Sequence, residues 1–133
     1  MLERLIQLEK NLKRLEALRR DVRTQAGDVP TTSAWAIRYG LIESIQIVID
    51  TACAICARHN LGAPRSYGDC LRLLGDSGYI PKDLARVLVS VVGLRNLLIH
   101  EYVSVDEERI MSFLDELDVF RRYATAVRQY LEK

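Results

Sequence analysis

Apolar residues return at intervals of three, four or seven through almost the whole chain, and no run alternates with period two over a strand's length. That pattern argues against a half-buried sheet and for helices that each bury one face. Leu5, Leu8, Leu12, Leu15 and Val22, separated by Lys, Arg and Glu, predict a first helix over residues 2–23. The Gly, Pro, Thr and Ser of "TQAGDVPTTS" end it. They also offer a cap for a second helix, from about Ala34 to Arg58, with Ile37, Leu41, Ile45, Val48, Ala52 and Ile55 inward. "NLGAPRS" closes that helix, and Ser66 is placed to cap a short third one through "YGDCLRLL". Pro81 suits the first position of a fourth, running from about Lys82 towards His100, because that position needs no backbone donor. "SVDE" reads as a capping box in which Ser104 accepts from the amide of Glu107 and Glu107 reaches back to that of Ser104. A final helix follows to about Glu132, and the two Gly-bearing loops lie too far apart for a hairpin. The expectation is an all-α bundle of about five helices with short connections, one domain over residues 1–133.

The hydrophobic share of 49% is enough for a packed core at this length. A formal net charge of +1 argues against a broadly basic surface, so contact with nucleic acid has to rest on a local patch or on a site completed by a second subunit. The arginines of the first helix, Arg14, Arg19, Arg20 and Arg23, alternate with Glu16 and Asp21 and read as a solvated face. The longest apolar stretch, "LIESIQIVIDTACAICA", contains Glu43 and Asp50, which suits a core helix better than a membrane span. Three cysteines, Cys53, Cys56 and Cys70, are an odd number without a secretory leader and suggest a reducing cytoplasm rather than a disulfide framework. "CAIC" lies late in an apolar helix, away from the helix N-terminus that stabilises a redox thiolate, so core packing is its expected role. Adding His59 gives three groups spread over too wide a helical arc for one tetrahedral metal. No metal and no cofactor are expected.

One stretch departs from the bland pattern. "RNLLIHEY" places Arg95, Asn96, His100 and Tyr102 together beside the apolar "LARVLVSVVGL". In a helix Arg95 and Tyr102 share a face while Asn96 and His100 share the adjoining one, so the four line one broad polar strip. Arg95 and His100 themselves stand roughly 140° apart. They converge on one substrate only if the helix frays near Ile99 or a facing strip from a second subunit completes the site. Taken separately, they also read as a surface charge, a histidine favoured by the helix C-terminal dipole, and an aromatic that closes the bundle.

The stretch resembles the R-x-x-x-x-H-x-Y signature of the HEPN superfamily, specifically the HepT-like toxins that pair with a minimal nucleotidyltransferase (MNT) antitoxin. "SYGDCLRLLGDSGYIP", "VVGLRN" and "VSVDEERI" are similar to the same family's flanking segments, and the likeness covers nearly the whole chain. The resemblance implies a HEPN helical bundle that forms a symmetric homodimer with both motifs in one cleft. It further implies the toxin of a type VII (HepT/MNT) toxin–antitoxin system: a metal-independent endoribonuclease carried by Arg95 and His100 and acting in the cytoplasm. Tyr102 is implied as the tyrosine that the partner nucleotidyltransferase adenylylates to neutralise the toxin.

The residue types suit that chemistry. RNA carries a 2′-OH beside each scissile phosphate, and an imidazole with an ordinary pKa of about 6.5 can remove its proton or protonate the leaving oxygen near neutral pH. His100 is therefore the expected proton-transfer group. A guanidinium stays charged and matches phosphate with paired donors, which is the role expected of Arg95, with Asn96 orienting the histidine or the substrate. With no metal-ligand cluster in the sequence, attack by the 2′-OH, leaving a cyclic phosphate, is the expected route. The alternative is a non-catalytic HEPN dimer that binds RNA or serves as the regulatory partner of a nucleotidyltransferase.

Overall fold

The computed structural model describes residues 1–24, 27, 29–100 and 107–133, with the backbone alone for His100 and Glu107. Every regular element among them is helical: α1 Leu2–Thr24, α2 Thr31–Arg58, α3 Tyr67–Asp76, α4 Lys82–His100, α5 Glu107–Phe113, and α6 Leu117–Leu131 after a single 3₁₀ turn. The fold is the all-α bundle that the periodicity implies, with its last helical run broken into α5 and α6 at Leu114–Glu116.

The core assembles from the faces that the spacing marks. Leu5, Leu8, Leu12 and Leu15 of α1 are buried against Ile37, Leu41, Ile45, Val48, Ala52 and Ile55 of α2, and Val22 packs at the edge of the same cluster. From α4 come Leu84, Leu88, Val91 and Leu98, and from α6 come Leu117, Phe120, Tyr123 and Val127, again at helical spacing. Each such side chain contributes about 1.5–3 kcal/mol on leaving water. By length and composition α2 could cross a membrane, but it sits at the centre of this cluster with more than half of its most apolar window buried in the bundle.

Local chemistry sets the ends of the elements. Ser66 caps α3 by accepting from the amide of Asp69 at 3.2 Å, as its position predicts. Pro81 stands one place earlier than expected, just outside α4, and its carbonyl accepts the first helical bond from Ala85 at 3.0 Å. Helix α2 starts at Thr31, three residues before the expected Ala34, because Pro30 provides the entry turn in place of a hydroxyl cap. Helices α3 and α4 approach so closely at Gly75 that a Cβ there would lie 2.7 Å from that of Ala85. The capping box at Ser104 lies outside the described residues; Glu107 is the first residue of α5.

One expectation is corrected. Cys53 of α2 and Cys70 of α3 form a disulfide, with Cα atoms 5.2 Å apart, and only Cys56 remains a buried thiol. Counting cysteines could not show that packing α3 onto α2 brings those two together. The arginines of α1 do form a largely solvated face, with Arg14, Arg20 and Arg23 exposed and Arg19 half-buried, and ion pairs run across it. Arg19 donates to Asp115 at 3.0 Å, Arg23 bonds the same carboxylate, and Arg121 reaches back from α6 to Glu16. These pairs tie α1 to the broken last helix.

Candidate active site on helix α4

Helix α4 continues without a break to His100. The backbone thus does not fray before the histidine, and the wide angle between positions 95 and 100 stands. Leu94 and Leu98 anchor this last part of the helix in the core, at 6% and 1% exposure. Arg95 is half-buried and Asn96 exposed. Burial of one flank of the helix holds its other flank at the surface.

The Arg95 side chain is held from α2. Its Nε donates to Oε1 of Gln46 at 2.6 Å, and its Nη1 comes within 3.5 Å of Asn96 Oδ1. Gln46 in turn donates through Nε2 to Asp50 Oδ1 at 2.7 Å, and the Asp50 carboxylate lies 3.9 Å from Arg4 of α1. A second arginine, Arg38 of α2, donates through Nε to the carbonyl of Leu98 at 3.1 Å and fastens the end of α4 to α2. That carbonyl lies in the last described turn of α4.

Beside this network runs a groove of about 550 Å³ between α1 and α2, with Gln46 and Asp50 on one wall and Tyr39 and Glu43 further along it. Glu43 accepts from Asn11 at 2.9 Å and from the Tyr39 hydroxyl at 2.8 Å. These two bonds, Asn11 first, hold its carboxyl below the usual range, while the same contact raises the Tyr39 phenol above its own. Trp35 and Tyr39, one helical turn apart, expose 70% and 67% of their surface on the same end of α2.

Of the motif residues, the structure therefore places Arg95 and Asn96 side by side on α4 and His100 at its last position; Tyr102 lies outside the described residues. Gln46, Asp50 and Arg38 went unnoticed in the sequence as partners of the motif. A signal existed for the first two: they are polar residues four apart within the most apolar helix, a spacing that puts both on one face. Which element that face meets is not written in the spacing.

Comparison with known proteins is decisive at the family level. The model of the ribonuclease HepT-like family matches residues 8–127. The chain belongs to that family. A curated relative from Archaeoglobus fulgidus, named as a candidate RNase, is 29% identical over 96 residues, 71% of this chain and 72% of that one. The same helical arrangement recurs in a tri-AMPylated HEPN toxin of Shewanella oneidensis, solved in complex with its MNT antitoxin. That toxin is similar at TM-score 0.84 and 22% identity, with 96% of each chain covered. YutE, a cytosolic protein from Bacillus subtilis, is similar at TM-score 0.75 and 19% identity, covering 95% of this chain and 89% of that one. At such identities the solved structures establish the HepT-like fold. The family match extends across α4, so the motif lies in the matched region.

Proposed function

We propose that this chain is the toxin of a HepT/MNT toxin–antitoxin pair, a cytoplasmic single-domain endoribonuclease that cleaves RNA without a metal. The observation that carries the reading is the family match over residues 8–127 together with an intact Arg95, Asn96 and His100 on the last turns of one helix. Arg95 binds the scissile phosphate and offsets the charge that develops on its oxygens. His100 moves the proton, taking it from the 2′-OH or giving it to the leaving 5′ oxygen. The 2′ oxygen forms a bond to phosphorus as the bond to the 5′ oxygen breaks, so the products carry a 2′,3′-cyclic phosphate and a 5′-hydroxyl.

The active form is a twofold dimer. On an unbroken helix Arg95 and His100 stand roughly 140° apart, too wide for one phosphate, so the arginine of one subunit works with the histidine of its partner. Gly93 supports the same reading. It sits in the middle of α4, is exposed, and has nothing among the described residues within 4 Å of where a Cβ would be. Glycine there costs the helix about 1 kcal/mol relative to alanine, with no close contact among the described residues in return, which suits close approach by a second copy.

Tyr102 is the acceptor of AMP from an MNT-type nucleotidyltransferase, two residues beyond His100. The added phosphate would repel RNA from the cleft. The tri-AMPylated state of the Shewanella oneidensis toxin supports this reading.

The test is expression of the purified chain with single-stranded RNA. Arg95→Ala and His100→Ala should each lower cleavage by two or more orders of magnitude while helix content and dimer are retained. Cleavage should survive EDTA and yield cyclic phosphate ends. With a cognate nucleotidyltransferase and ATP, Tyr102 should gain adenylyl mass and activity should fall; Tyr102→Phe should stay active and unmodified. Loss of activity in EDTA would refute the metal-free route. Cleavage by His100→Ala equal to wild type would move the chain to the non-catalytic class.

A further inference from the structure

Helix α2 presents a neutral amide to the motif arginine, and the amide is oriented by a carboxylate. An amide has one accepting end and one donating end, whereas the Asp50 carboxylate only accepts. The 2.7 Å bond from Gln46 Nε2 to Asp50 therefore fixes which way the amide faces, with Oε1 towards Arg95 Nε at 2.6 Å. Gln46 and Asp50 sit four residues apart on one continuous helix, so their pairing demands no further ordering of backbone.

Using Nε in this way leaves the Nη edge of the guanidinium to the surface, and that edge carries the paired donors that match phosphate oxygens. Among the described residues, the hydrogen bond it makes is the 3.5 Å approach to Asn96, at the outer limit of such a bond. The identity of the holding residue matters for charge as well as for position. A carboxylate against Arg95 would form a salt bridge and compete with phosphate for the cation. Gln46 keeps the negative charge of Asp50 one side chain further away.

We infer that Gln46, oriented by Asp50, is the positioning residue for Arg95, fixing the guanidinium through Nε while leaving its charge uncompensated for the RNA phosphate. The inference rests on the reading of Arg95 as the phosphate-binding group. A neutral holder and a charged holder should differ in kind. Gln46→Ala frees the guanidinium, and a misplacement of about 1 Å at a reacting group can cost on the order of 100-fold in rate. Gln46→Glu keeps an acceptor at Nε but competes with phosphate, so it should weaken substrate binding.

The experiment combines cleavage of a short single-stranded RNA with NMR of the Arg95 Nε–H group, assigned by its loss in Arg95→Lys. Gln46→Ala should lower kcat between 10-fold and 100-fold with KM within about threefold of wild type, and should abolish the slowly exchanging Nε–H signal. In an Arg95→Ala background the same change should have no further effect. Gln46→Glu should retain the Nε–H signal and raise KM about tenfold or more. An unchanged kcat for Gln46→Ala, or an equal loss in the Arg95→Ala background, would overturn the positioning role. Persistence of the Nε–H signal in Gln46→Ala would overturn it without reference to activity. If Arg95→Ala itself cleaves RNA as wild type does, the proposed role of Arg95 fails, and the NMR result still decides whether Gln46 holds it.

Discussion

The hydroxyls of Thr51 and Tyr123 meet 2.6 Å apart in the centre of the bundle, joining α2 to α6 across 72 residues of sequence. Thr51 is satisfied locally as well, donating to the carbonyl of Ile47 at 2.8 Å, and its oxygen is then free to accept from the phenol. Burial holds the Tyr123 proton far above the ordinary phenol range, so the group remains a donor at every pH the fold survives. Tyr123→Phe should cost about 1–2 kcal/mol. Thr51→Val should cost less, because the phenol can turn to the Val48 carbonyl at 3.2 Å. Urea unfolding of both single variants and the double gives a coupling of about 1 kcal/mol if the bond stands; additive losses would show that it contributes nothing.

Acid stability should depend on Glu43. Its hydrogen bonds from Asn11 and Tyr39 depress its folded pKa, while in the unfolded chain it titrates near its ordinary value of about 4.3. A depressed carboxyl contributes stability above the unfolded pKa, and that contribution is lost as pH falls through the folded one. Chemical denaturation at a series of pH values should therefore show stability falling below about pH 5. Glu43→Gln carries no titrating proton and should flatten this fall; an unchanged slope would exclude Glu43 as a source. Asp69 and Asp83, also depressed by their arginine neighbours or backbone bonds, supply the slope that remains.

These two networks also mark what a reader of the sequence could and could not see. The buried faces of α1 and α2 were legible residue by residue, since burial is periodic and periodicity survives without a partner. Arg95 and Asn96 could be picked out as neighbours because their motif is local, and the structure sets their side chains together. Gln46 was not, because its meaning depends on α4 packing against α2 across 49 residues. The same holds for Cys53 and Cys70: the two thiols are far apart along the chain and only the α2–α3 contact joins them. The break at Leu114–Glu116 leaves no Gly or Pro to announce it; there the arginine ties from α1 to Asp115 meet a turn that tightens to 3₁₀.

The disulfide should be measurable as stability. It closes a sequence separation of 17 residues, for which the chain-entropy estimate is about 3 kcal/mol. Oxidised protein should react with thiol reagent only at Cys56, and only after unfolding, since that thiol is buried and its pKa is raised by burial. Cys53→Ser/Cys70→Ser, or reduction, should lower the melting temperature on the order of 10 °C. Three reactive thiols in unreduced, unfolded protein would show that the bond does not form in solution.

Whether the nuclease site is shared between subunits can be decided by complementation. On the unbroken α4 helix the residues Arg95 and His100 of one subunit diverge, so the proposed catalytic pair would be drawn from two subunits. Arg95→Ala and His100→Ala homodimers should each be inactive. When the two chains are co-expressed, half of a random population is mixed dimer, and each mixed dimer holds one intact pair: the arginine of one subunit facing the histidine of the other. Activity should return to about a quarter of wild type. If the pair had to come from a single subunit, no mixed dimer would contain one, and activity would stay at the level of the single variants. Gly93→Leu gives the structural control. Its new side chain meets open space among the described residues and leucine favours the helix, so the monomer should be at least as stable as wild type. The same leucine would obstruct close approach of a second α4, so light scattering should show monomer, and both wild-type cleavage and complementation should be lost together. A Gly93→Leu protein that remains dimeric and active would move the interface away from this face of α4.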